Sequence, residues 1–134
     1  MNALADGRYF DPFSLLGIHL ENDRRIVRTL QPHAKSVALL VGDSAQALPM
    51  EKVHPAGVYE IEMPARKRRY RLRLTFADGN SQDIHDAYCF PSTLGDLDLY
   101  LLGQGSHRDI FRKLGAHPTK VQGVKGTFFA IWAP

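Results

Sequence analysis

With 134 residues, 44% of them hydrophobic, and a net charge of +3, the chain is long enough for one ordinary domain with a real core. Its longest apolar runs, Val37 to Val41 and Thr127 to Ala133, are far too short to span a bilayer, and Met1 to Asp6 carry neither the basic region nor the apolar segment of a secretory signal. The single cysteine, Cys89, excludes an internal disulfide, so a cytoplasmic location is expected.

Residues 1 to 22 read as a short helix and a loop, with Asp11-Pro12-Phe13 initiating a turn. The centre reads as β: 24–31, 36–41, 48–53, 57–63 and 69–76 are short strands, punctuated by Gly, Pro, Asn and Asp at sandwich-like spacing. Tyr59, Ile61 and Met63 share one face opposite Glu60 and Glu62; Tyr70, Leu72, Leu74 and Phe76 share another, opposite Arg69, Arg71 and Arg73. Asp78-Gly79-Asn80 supplies a tight turn. Asp96 to Leu102 and Asp109 to Leu114 are short helical turns, each opened by a capping aspartate and closed by Gly103, Gly105 or Gly115. Val121 to Gly126 is a connector.

One phrase occurs twice, Leu16-Gly17-Ile18-His19 and Leu114-Gly115-Ala116-His117, each followed by a strand-like run that stops at a proline, Pro32 and Pro134. Such self-similarity marks a repeated structural unit. The expectation is a small module followed by the opening of a second of the same kind.

Candidate chemistry is sparse. The run Arg66-Lys67-Arg68-Arg69-Tyr70-Arg71-Leu72-Arg73 could meet nucleic-acid phosphates. A hairpin through Pro64-Ala65 that sets Glu60 and Glu62 opposite these arginines is the simpler reading, because no nucleic-acid motif surrounds the run. His19, His33, His54, His85, His107 and His117 are scattered without the close pairs of a zinc site, so no metal is expected. Cys89 reads as packing. Asp83, Asp86, Asp96 and Asp98 read as caps and turns. No activating motif surrounds a serine or cysteine, and no glycine loop cradles a phosphate, so no catalytic residue and no cofactor are expected. Tyr59, Tyr70 and Phe76 read as core rings, and the only tryptophan, Trp132, falls in the second copy.

Four segments occur in one order: Asp11-Pro12-Phe13-Ser14-Leu15-Leu16-Gly17-Ile18-His19; His85 to Phe90; Leu99 to His107; and Leu114 to His117 continuing through Gly123 to Pro134. Together they resemble the N-terminal region of bacterial 1,4-alpha-glucan (glycogen) branching enzymes. The chain departs from the pattern at His85 and Ala87, where an Asp-Pro-Tyr sequence is expected. The resemblance implies an all-β, immunoglobulin-like sandwich with short flanking helices. It places an accessory module at 1–122 and the first strand of a truncated second carbohydrate-binding sandwich at 123–134. It also implies a parent glycosyltransferase that cuts an alpha-1,4 glucan and transfers the piece to a 6-hydroxyl in a (β/α)₈ barrel. Such a barrel takes roughly 250 residues, so no catalytic residue carries over and no activity is expected of this chain alone. The implied partners are alpha-glucan, in the context of the full enzyme, and the parent's catalytic barrel. The implied role is to position glucan or influence the transferred chain length, and the resemblance assigns no glucan-contacting residue. The alternatives are a basic-patch nucleic-acid module and a purely structural spacer.

Overall fold

A computed structural model describes residues 2–42, 46–64 and 69–133. The chain forms two compact units, Met1–Cys89 and Phe90–Pro134.

The first unit opens with helix α1 (Asn2–Ala5) and a 3-10 turn (Pro12–Ser14). Eight strands follow: β1 (Gly17–Glu21), β2 (Arg24–Leu30), β3 (Ser36–Val41), β4 (Ala47–Pro49), β5 (Glu51–His54), β6 (Val58–Glu62), β7 (Tyr70–Thr75) and β8 (Ser81–Ile84). They make two four-stranded antiparallel sheets, ordered β1-β2-β6-β5 and β4-β3-β7-β8. The expected all-β sandwich is the fold. Its core joins Val27 and Tyr59 of one sheet to Val37, Leu39, Tyr70, Leu72 and Leu74 of the other, the inward sets of alternating strands. The buried Tyr59 hydroxyl donates to the Ala34 carbonyl at 2.8 Å, which removes the cost of burying it unpaired. A second cluster of Leu4, Leu16 and Val58 includes the strand neighbour of Tyr59, which points to the opposite face of its sheet.

Two expectations about the strands of the sandwich are overturned. The single strand over 48–53 is two strands in different sheets: the chain crosses at the buried Met50, whose N–H donates to the Val37 carbonyl. Nor do β6 and β7 form a hairpin. They belong to opposite sheets, because Met63 and Tyr70, at the two ends of the connection, both feed the shared core. Glu60 and Glu62 therefore do not face Arg69, Arg71 and Arg73. Glu60 pairs with Arg28 and Glu62 with Arg24 across β2, while Arg71 and Arg73 pair with Asp83 on β8. Arg66, Lys67 and Arg68 lie outside the described residues.

The second unit holds helix α2 (Asp96–Gly103), a 3-10 turn (Ile110–Arg112), and strands β9 (Gly115–Val121) and β10 (Val124–Ala130), which pair as an antiparallel hairpin. Val121 to Gly126 is therefore not a connector: Gln122 and Gly123, both at positive φ, form its two-residue turn. The strand expected to open a second module at 123 is the second strand of this hairpin.

The repeat is longer in three dimensions than in its four-letter phrase. Asp11, Phe13, Leu16, Gly17 and His19 correspond to Asp109, Phe111, Leu114, Gly115 and His117. Each copy runs from a 3-10 turn through a glycine at φ +92 or +97 into a hairpin. In each, the histidine Nε2–H donates to the carbonyl three residues back, Leu16 at 2.9 Å and Leu114 at 2.8 Å. Asn22 and Asp23, both at positive φ, turn the first hairpin as Gln122 and Gly123 turn the second.

Candidate functional site

Of the basic residues expected to mark either a solvated face or a nucleic-acid patch, Arg71 and Arg73 are partnered. Arg73 Nε and Nη2 donate to the two Asp83 carboxylate oxygens at 2.7 and 2.9 Å, with Arg71 on the same carboxylate at 3.9 Å. This pairing holds the Asp83 carboxyl below its ordinary range. Asp83 is thus a strand residue, not a cap or turn as expected. Among the described residues the most buried cation is Arg28, its side chain 8% exposed, held by Glu60 at 2.6 Å and Glu21 at 3.2 Å. Burial works against its charge, and the two carboxylates more than restore it. This is a structural clasp of β1, β2 and β6.

The histidines do not converge. His19 and His117 close the repeated turn; His54 Nδ1 accepts from the Ala56 N–H; His107 donates to Asp98 at 2.8 Å. Among the described residues no three His, Cys, Asp or Glu side chains gather as metal ligands. Asp98 also accepts from the Gly95 N–H at 3.0 Å and pairs with Lys113 at 3.2 Å. The Gly95 hydrogen bond, then His107 and Lys113, bring its carboxyl down to about 2. The cap of α2 is consequently Gly95, with Asp98 reaching back to it, whereas Asp96 had been the expected cap.

Asp86 is buried and accepts from the Tyr70 hydroxyl and the Tyr88 N–H. Burial raises its carboxyl above the ordinary range. Asp86 tethers the 3-10 turn Ala87–Cys89, so the turn closes without the proline expected at position 87. Cys89 packs against the core with its thiol pushed up to about 11 by burial, the reverse of a reactive cysteine.

Tyr59 and Tyr70 are core residues and Phe76 packs against them. The rings left outside sit elsewhere. Tyr9, Phe10 and Phe13 lie in the loop between α1 and β1, and Phe10 is fully exposed. The Tyr9 hydroxyl and Ser14 Oγ are 3.2 Å apart, and Phe13 sets its ring against Tyr88 at 5.0 Å and 67°. Sequence reasoning passed over this loop because a turn signal, Asp11-Pro12, dominated it. Three rings within five residues was the available clue.

The family described as alpha-1,4-glucan branching enzyme GlgB, N-terminal domain, matches residues 1–88. The chain belongs to this family. Similar relatives include the 1,4-alpha-glucan branching enzyme GlgB of Nitrobacter winogradskyi, 42% identical over 132 residues, covering 98% of this chain and 18% of the relative. That of Rubrobacter xylanophilus is 43% identical over 134 residues, covering 100% and 18%. The chain thus spans about a fifth of the length of these relatives. A solved pullulanase from Paenibacillus barengoltzii is a distant likeness: TM-score 0.39, 17% identity, 60% of this chain and 15% of that one. No helix among the described residues is long and apolar enough to cross a membrane.

Proposed function

We propose that this chain serves as the N-terminal accessory module of a glycogen branching enzyme, acting with the catalytic barrel of the parent protein to position alpha-glucan and so influence the length of chain transferred. The observation that carries this reading is the family match over the whole sandwich, joined to relatives named as branching enzymes that align along nearly the full chain. The structure fits an accessory role: its buried carboxylate, thiol and guanidinium each serve packing. The β9–β10 hairpin, which takes in the start of residues 123–134, is read as opening a second carbohydrate-binding sandwich, supported by the recurrence of the turn and hairpin. The setting is read as cytoplasmic.

The test is to place residues 1–134 on a branching enzyme relieved of its own corresponding region. Debranched products of the two forms are then compared by chain length. A shifted distribution is expected; superimposable distributions would leave only a spacer.

The basic-patch reading has no observation in its favour among the described residues, where Arg71 and Arg73 share Asp83. A gel shift with generic RNA at low salt checks it directly, and no shift is expected.

A further inference from the structure

The loop between α1 and β1 holds its aromatic rings out of the core and keeps two of them in place. Phe10 is 102% exposed, Phe13 50% and Tyr9 37%. The Tyr9–Ser14 hydroxyl contact and the edge-on contact of Phe13 with Tyr88 fix the loop at both ends, and backbone bonds from Arg8 to Ala3 and from Ser14 to Asp11 tie it down between them. A ring left in water forgoes the gain from burial, so two anchored rings flanking a fully exposed one call for a ligand.

The chemistry of the loop narrows what that ligand is. Its exposed large apolar side chains are all rings, since Leu16 is buried and Leu15 half-buried, and the rings alternate with Arg8, Asp11 and Ser14. Rings present a negative face to polarised C–H bonds, and the interleaved polar groups suit hydroxyls. A pyranose offers both, apolar C–H faces with a hydroxyl rim. Charge argues the same way. Arg8 is paired with Asp6 at 2.5 Å, and Asp11 makes no side-chain bond to the turn it opens, so the loop repels phosphates and anionic headgroups and suits a neutral ligand. We propose that Tyr9, Phe10 and Phe13 form a stacking platform for an alpha-1,4-glucan chain, with Phe10 as the principal ring. This rests on the branching-enzyme reading for the identity of the glucan.

The full chain is titrated with maltoheptaose by NMR, alongside Phe10→Ala and, as a control on another exposed ring, Phe129→Ala. Phe10 makes no core contact, so its replacement leaves the fold intact, which a matching thermal melt verifies. We expect the wild type to bind, Phe10→Ala to bind about five- to tenfold more weakly, as loss of one stacked ring implies, and Phe129→Ala to match the wild type. Unchanged affinity in Phe10→Ala, or equal loss in Phe129→Ala, overturns the platform. So does absence of binding by the wild type up to about 10 mM, far weaker than a useful subsite. If binding is absent but the chain-length distribution above still shifts, the platform falls and the accessory role stands; if neither is seen, both fall. Pelleting with phosphatidylglycerol vesicles, lost in Phe10→Ala, would assign the rings to a lipid surface and overturn the glucan reading.

Discussion

Arg28 occupies a strand position between buried neighbours, with Val27 and Thr29 on either side, and its charge is tolerable only because Glu60 and Glu21 meet it. The partner of Glu60 decides what a substitution there costs. Had Glu60 faced exposed arginines on a hairpin, reversing it would cost under about 1 kcal/mol. Against a buried guanidinium, Glu60→Lys sets two cations together and should cost about 3 kcal/mol, the lower end for breaking a buried pair, because Glu21 keeps a share of the charge. Leu72→Ala, at a fully buried site, should cost about 2–5 kcal/mol. Urea melts of the two variants should therefore show comparable losses; a near-neutral Glu60→Lys would contradict the clasp. Asp98 gives a second, pH-dependent test. Its carboxyl is lowered on folding from 3.8 to about 2, so the folded state binds fewer protons than the unfolded chain. Its contribution is complete above the ordinary carboxylate range and fades as pH falls from 3.8 towards 2. Protection of the Gly95 amide, which donates to Asp98, should fade in that window and be absent at all pH values in Asp98→Ala, which has no acceptor.

At the scale of elements, the two copies of the repeated turn allow the same substitution to be compared in two settings. Gly17 and Gly115 both sit at positive φ, so alanine strains either backbone, by about 1–2 kcal/mol. At Gly17 an added Cβ would also lie 2.6 Å from the Tyr88 carbonyl oxygen, whereas at Gly115 it meets nothing within 4 Å. Gly17→Ala should thus lower the thermal midpoint by several degrees more than Gly115→Ala; equal shifts would show that strain alone decides. The repeat was legible as four letters because those residues do the local work, a glycine for the bend and a histidine for the closing bond. Its extension was hidden, since Asp109-Ile110-Phe111 lacks the proline that makes Asp11-Pro12-Phe13 conspicuous. Strands β7 and β6 were legible because each alternates between a core face and a polar one. Strands β1 and β9 were not, because residues such as His19, Pro118 and Lys120 break any simple alternation, and their pairing is set by two-residue turns at Asn22-Asp23 and Gln122-Gly123. The partner of Glu60 was beyond reach for a different reason: alternation identifies the inward face of a strand and carries no information about which sheet receives it.

At the scale of the whole molecule, a barrel of roughly 250 residues cannot fit in a chain of 134. Incubation with amylose should accordingly leave the iodine-stained spectrum unchanged, and a loss of long-wavelength absorbance would contradict this. A sharper consequence follows from where the core lies. Every buried side chain among the described residues belongs to Met1–Cys89, the last being Asp86. Residues 90–133 form a helix and a hairpin with no buried residue of their own, and they expose Tyr100, Phe111, Phe129 and Ile131. A two-stranded hairpin is marginal in water without a packed face, and segments this short seldom bury enough surface to stand alone. A piece ending at Cys89 should therefore melt cooperatively in urea, with its Tyr59 and Tyr70 hydroxyls shielded as in the full chain. A piece comprising residues 90–134 should show no cooperative transition, and Trp132 should fluoresce as a ring in water. A sigmoidal melt from the second piece would mean that its hairpin finds a core without the sandwich, and failure of the first to fold would mean that the sandwich needs more than its own buried residues.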